Sequence, residues 1–367
     1  MKLGFYVTGS AGGGYAELID QVEYADRSGF DSVWLRERHF HRDHQGRNFF
    51  SSPMVAAAFI AARTRKVRIG LGARILPLDH PVHVAEDAAT IDLISGGRLD
   101  LGIARIGEND LYQGAFGCDP AESRGRFEES IEVILRAWAG EPFSWRGPNY
   151  TVPEVGVLPR PAQRPHPPIY LVGISDSTLS FGAERGMPLL LAAAQPEDEV
   201  GHTIARYRER LSAAGADPSG VSLPLNRFVY VGETTEEARS EMGGAITAFL
   251  DRPGSVIRDF FGPRAADADD RLLYEEVFIC GDAAHCTERL QGLRERLGVG
   301  ELLLTFNYFT LPHDRCLASM QRFVAEVMPR LRAGEDGSGP AAAKDGAAGA
   351  LPTPSSDDGR AWSPVER

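Results

Sequence analysis

Eight short runs of nearly uninterrupted apolar residues, separated by segments with a helical apolar stripe, constrain this chain more than any other feature. The runs lie at Leu3–Val7, Ser32–Leu35, Val67–Ala73, Leu99–Ala104, Ile169–Val172, Pro188–Leu191, Arg227–Val231 and Glu301–Phe306. A strand that is apolar along its whole length, rather than at alternate positions, is covered on both faces, as in a parallel sheet flanked by helices. Between the runs, Tyr15, Leu18, Ile19, Val22 and Ala25 recur at helical spacing, as do Phe127, Ile131, Ile134, Leu135 and Trp138. Pro53 and Pro81 suit first helical turns, and Gly29 and Gly186 suit helix ends. The pattern predicts an α/β chain folded as a (β/α)8 TIM barrel with loop insertions at its C-terminal face. The alternative is an open doubly wound sheet, which Gly9, Gly12, Gly13 and Gly14 disfavour because their spacing is not that of a dinucleotide-binding turn.

Composition narrows the class further. A formal net charge of -12 argues against nucleic acid or an anionic membrane as the main partner, while leaving room for a local positive pocket. No apolar run is long enough to span a bilayer, and Met1-Lys2-Leu3 leads straight into a strand. Cys118, Cys280, Cys286 and Cys316 show no CxxC pairing and read as reduced thiols of a cytoplasmic protein. Arg36–Ser52, Arg105–Pro120, Gly140–Pro168 and Arg252–Ala284 break the alternation. Insertions after barrel strands build active-site roofs, and the last is expected to act as a mobile lid. Residues 1–332 are read as one domain, and 333–367, rich in Gly, Ala, Ser, Pro and Asp, as a disordered tail.

Chemistry in parallel α/β folds collects at the C-terminal strand ends. Arg36, Glu37, Arg38 and His39 follow the second strand directly. His39 is positioned there as a proton donor or acceptor held by Glu37, although a purely structural Glu37–arginine pair fits the same residues. His39, His41, Asp43 and His44 have the composition of a metal site, but Arg36, Arg38, Arg42 and Arg47 interleave with them and oppose a cation. Arg105 ends the fourth strand, where its fork of donors suits a phosphate; a surface ion pair is the plainer reading. Gly173-Ile174-Ser175-Asp176-Ser177-Thr178 carries a strand through a glycine into a helix, a second place for phosphate oxygens, or simply a helix cap. Gly72 and Ala73 leave room for a flat molecule to approach the backbone, or for close barrel packing.

Taken together, GFDSVWLRERHF, VRIGLGARILPLDHPVHVAED, DLISGGRLDLGIARIG, SRGRFEESIEVILRAW, PIYLVGISDST and MQRFVAEVMPRL resemble the luciferase-like flavin-dependent monooxygenases, from Met1 to about Arg332. The resemblance implies FMN, used as FMNH2, at the C-terminal mouth of the barrel. It places Gly72-Ala73 at a non-prolyl cis peptide under the flavin ring. It also places Arg105, Gly173, Ser175, Ser177 and Thr178 around the phosphate, with His39, Glu37 and Arg38 as the catalytic group. It implies reaction of the reduced flavin with O2 through a C4a-hydroperoxyflavin to oxygenate a small organic substrate in secondary metabolism. It further implies a separate NAD(P)H:flavin reductase and a homodimer. The deazaflavin F420, used for hydride transfer by cousins of this barrel, is the alternative cofactor. A non-catalytic flavin-binding protein is the alternative from another class. Arg38 stands where bacterial luciferase has the first of two histidines, and Ala104 where it has a reactive cysteine, so light emission is not expected.

Overall fold

The computed structural model describes residues 1–9, 14–40, 51–106, 110–250, 270–307 and 311–333. The strands are β1 (Lys2–Val7), β2 (Ser32–Leu35), β3 (Arg68–Leu71), β4 (Arg74–Ile75), β5 (Leu99–Ala104), β6 (Phe143–Arg146), β7 (Thr151–Val155), β8 (Ile169–Val172), β9 (Leu189–Leu190), β10 (Leu225–Val231), β11 (Phe278–Gly281) and β12 (Glu301–Thr305). The helices are α1 (Gly14–Ser28), α2 (Pro53–Arg63), α3 (Pro81–Ser95), α4 (Asp110–Phe116), α5 (Ser123–Ala139), α6 (Asp176–Glu184), α7 (Glu197–Ala213), α8 (Thr235–Leu250), α9 (Asp270–Glu276), α10 (Ala283–Leu297), α11 (His313–Arg322) and, after a π-helical turn, α12 (Met328–Ala333).

Ten strands form one sheet, ordered β11-β10-β12-β1-β2-β3-β5-β8-β9, with β4 paired to β5, and every pairing in it is parallel. The sheet curls until its edge at Leu191 meets Leu225 of β10 in a parallel bridge, with Leu191 N–H on Pro224 O and Asn226 N–H on Leu191 O. The α/β class with a curled parallel sheet therefore follows the expectation from the apolar runs. Two-residue alternation sorts each strand. Val33 and Leu35 join the main core beneath the helices, while Trp34 joins Tyr6, Tyr170, Leu190 and Leu303 inside the curl. Trp34 fits because its neighbours are small: a Cβ on Gly70 would lie 2.1 Å from its ring. Tyr170 meets the indole edge-on at 5.0 Å.

At the N-terminal end of the curl lies a polar layer. Arg68 pairs with buried Asp100 at 2.7 Å, and Ser32 donates to Glu301 at 3.3 Å. Burial, reinforced by Asp100, pushes the Glu301 carboxyl up from 4.5 to about 7. A carboxyl whose folded-state pKa is raised contributes stability in full below about pH 4.5 and loses it as pH rises through about 7. Glu301→Gln keeps an acceptor for Ser32 and removes the charge. It should therefore raise the thermal midpoint more at pH 8 than at pH 5, by about 2 °C or more. Equal shifts at the two pH values, read by calorimetry, would contradict this.

Three sequence expectations need correction. Gly140–Pro168 is not simply irregular: it contains the antiparallel hairpin β6–β7, whose strands are half exposed and lack a continuous apolar run. Arg105–Pro120 contains α4. The end of the supposed lid, Arg252–Ala284, contains α9 and the buried strand β11, which pairs with β10. FICG is too short a run to stand out among charged neighbours. Residues 251–269 of that segment, 41–50 of the second-strand loop and 334–367 of the tail lie outside the described residues.

Candidate active site

The C-terminal ends of β2, β3, β5 and β8 carry Arg36–His39, Gly72-Ala73, Arg105 and Gly173–Thr178, while His41, Asp43 and His44 lie outside the described residues. Beyond β2, the Arg36 N–H still reaches Val7 O at 3.3 Å, and Gly72 N–H reaches Leu35 O at 2.8 Å, so the ladder continues past both strands. The Gly72-Ala73 peptide is cis, and the hydroxyl of buried Tyr6 donates to Gly72 O. A Cβ on Gly72 would lie 2.7 Å from the Tyr6 ring, so glycine is required for this close approach. Burial holds the Tyr6 hydroxyl above its usual range, with Arg36 opposing, which keeps it a donor at neutral pH.

Glu37 anchors one wall. Its buried carboxylate receives the Arg74 guanidinium and the His39 Nε2 at 2.7 Å on one oxygen, and the Ile75 N–H at 2.8 Å on the other. Arg74 also pairs with Asp79. A carboxylate accepts only, so His39 presents N–H at Nε2 and keeps the lone pair of Nδ1 for another proton. The His39 backbone N–H donates to Tyr112 OH at 3.2 Å, and its ring meets Phe116 edge-on at 4.9 Å. Arg38, between Glu37 and His39 in the chain, is half-buried. The expected Glu37–His39 contact is thus present. Arg74, Tyr6 and Tyr112, which complete the wall, were not singled out as site residues, because no local spacing links them to Glu37 or His39.

Across the mouth, Arg105 at the end of β5 donates to Ser175 Oγ at 3.3 Å. Ser175 caps α6: its Oγ accepts from Thr178 N–H at 3.3 Å and lies 2.8 Å from Thr178 Oγ1 and 3.2 Å from Ser177 Oγ. Gly173 has φ +148°, and a Cβ there would lie 3.0 Å from Thr178 Cγ2. Asp176 does not face this cluster. Its carboxylate turns to Arg206 and Arg210 on α7, and Arg206 holds it below the usual carboxylate range. Turning it away removes the repulsion that a carboxylate beside a phosphate would cause. One guanidinium a single strand from the glycine floor, with three hydroxyls and a helix N-terminus one strand further, fit a phosphorylated planar cofactor. Among the described residues no cluster of metal-ligating side chains occurs, and no helix is long and apolar enough to cross a membrane.

Comparison with known proteins places the chain in a family. The family described as luciferase-like monooxygenase matches residues 2–301. The chain belongs to the luciferase-like monooxygenase family. It is an oxidoreductase of the flavin-dependent monooxygenase class. Among family relatives, a Sinorhizobium fredii protein called uncharacterized protein y4wF is 30% identical over 322 residues, covering 86% of this chain and 92% of that protein. The oxygenase component of the flavin-dependent trigonelline monooxygenase of Acinetobacter baylyi is 26% identical, covering 86% of this chain and 89% of that one. Monooxygenase RslO1 of Streptomyces bottropensis superposes with a TM-score of 0.77 at 28% identity, covering 90% of this chain and 99% of that one. Two further structures share the fold: the oxygenating constituent of 3,6-diketocamphane monooxygenase of Pseudomonas putida in complex with FMN (TM-score 0.75, 21% identity, 90% and 98% covered). The other is an F420-dependent secondary alcohol dehydrogenase (TM-score 0.69, 18% identity, 90% and 99% covered).

Proposed function

We propose that this luciferase-like chain is the oxygenase of a two-component system. It takes FMNH2 from a separate NAD(P)H:flavin reductase and oxygenates a small organic substrate in the cytoplasm, within secondary metabolism. The observation that carries this reading is the hydrogen-bonded Arg105–Ser175–Ser177–Thr178 cluster beside the Gly72-Ala73 floor. Arg105, Ser175, Ser177, Thr178 and the Gly173 turn would hold the FMN phosphate, and Gly72 and Ala73 would lie under its ring. The bound reduced flavin supplies the electrons that activate O2. Glu37 fixes the His39 ring, whose Nδ1 takes or returns a proton at the reacting centre, and Arg38 lines the same wall. The buried Tyr6–Gly72 contact keeps the floor in place.

The oxygenase reading is tested by turnover with FMN, a flavin reductase, NAD(P)H and candidate substrates under ¹⁸O2. Product bearing one labelled atom is expected, and unlabelled product would refute it. Reduction of substrate by F420H2 without O2 would instead favour the deazaflavin reading, which the F420-dependent neighbour supports at the level of fold alone. Stoichiometric FMN binding with no oxygen consumption would favour a non-catalytic flavin protein.

The homodimer belongs to the same proposal. Val55 and Phe59 on α2 and Leu93 and Ile94 on α3 are exposed by 47–72%, and the two helices pack together. Large apolar side chains grouped on adjoining helices are characteristic of an interface. Phe59→Asp should shift a dimer to monomer in light scattering coupled to gel filtration, with dissociation strengthened at least ~100-fold, as expected for an anchor residue. A monomeric parent protein would contradict the proposal.

A further inference from the structure

We infer that Arg36 is the substrate's anion anchor, so that the enzyme selects an organic substrate bearing a carboxylate. The inference rests on the oxygenase reading and adds to it the chemical class of the substrate. Ser32 and Trp34 face the inside of the curled sheet, Ser32 against Glu301 and Trp34 against Tyr170. The Arg36 backbone continues the β1 ladder through its bond to Val7 O. Two-residue alternation therefore carries the Arg36 side chain to the same inner face, one step above Trp34 and beside the Tyr6–Gly72 contact. By strand register its inner-face neighbours are Thr8 beyond β1 and Gly72 beyond β3, with Tyr6 one step below, none of them charged.

Two other cations placed at the mouth among the described residues are committed. Arg74 is held by Glu37 and Asp79, and Arg105 donates to Ser175. Arg36 is half-buried, and among the described residues its guanidinium has no hydrogen-bond or ion-pair partner. A guanidinium partly withdrawn from water and without a protein partner is a ready site for an anion. The FMN phosphate is not that anion. Arg36 stands two strands from Arg105 in the order β2-β3-β5, roughly 10 Å at ordinary strand spacing, on the far side of the Gly72-Ala73 floor. A second molecule on that floor would meet Arg36 first. Beyond it, Phe40 and Phe116 offer exposed rings 5.3 Å apart for an apolar body.

The test uses the FMN-loaded protein and three pairs of probes: octanoate, benzoate and 2-naphthoate, each against its primary amide. Binding is measured by calorimetric titration. At least one carboxylate should bind ten-fold or more tightly than its amide. Arg36→Leu should abolish that preference while FMN affinity stays within two-fold, and Arg36→Lys should retain part of it. Circular dichroism and the thermal midpoint establish that each variant is folded. No carboxylate preference in any pair would overturn the anchor while leaving the oxygenase reading intact. A parallel ten-fold loss of FMN affinity in Arg36→Leu would also overturn it, assigning the guanidinium to the flavin. Failure of the parent protein to bind FMN would overturn both.

Discussion

Glu37→Ala should lower unfolding stability by about 3 kcal/mol, because it removes one partner of a buried ion pair and leaves the other behind. The Glu37 side chain is fully buried, and its carboxylate answers the Arg74 guanidinium, the Ile75 N–H and His39 at once. Arg74 is itself only 7% exposed, and its Nε has no hydrogen-bond partner. Asp79 retains one contact to Arg74, which places the loss at the lower end of the range for broken buried pairs. Glu37→Gln should cost less: an amide oxygen still accepts from Ile75, and what is lost is the charge. Chemical denaturation of both variants checks the order. A Glu37→Ala loss under about 1 kcal/mol would mean that the wall is not held by this carboxylate. The same variant frees the His39 ring, so turnover should fall even where the protein remains folded.

The second large effect concerns cofactor capture. Arg105→Ala combined with Ser175→Ala should weaken FMN binding by roughly 100-fold, since a charge-assisted hydrogen bond contributes about 1.5–3 kcal/mol and a neutral one about 1. Ser175 also caps α6, so its removal loosens the backbone N–H of Thr178 as well as a hydroxyl. Arg105→Ala alone separates the two effects, because Arg105 caps nothing. Fluorescence titration of each variant is the measurement. A double variant that folds and binds FMN as tightly as the parent would remove the phosphate from this place.

How much of this was legible in the sequence follows from how local each signal is. β1, β2, β5 and β8 follow their apolar runs closely because continuous apolar residues report burial on both faces directly. β11 has four residues and is defined by its pairing with β10, a long-range contact that composition does not announce. The same division runs through the site. Glu37 and His39 are two residues apart and readable as a unit, as are Ser175, Ser177 and Thr178 along one helix start. Tyr6 reaches Gly72 across 66 residues and Arg74 reaches Glu37 across 37, and only the pairing of β1, β2 and β3 brings them together. Asp176 sits within that same helix start, where a carboxylate beside a phosphate is repulsive. Arg206 and Arg210, one helix later, turn it away, and no local pattern signals that.

Parallel titration of the parent protein with FMN and with riboflavin tests the central claim most directly, since the two ligands differ only in the phosphate. The account predicts that FMN binds at least ~10-fold more tightly, as one charge-assisted contact warrants, and that Arg105→Ala with Ser175→Ala erases the difference. Equal affinity for the two flavins in the parent protein would contradict it.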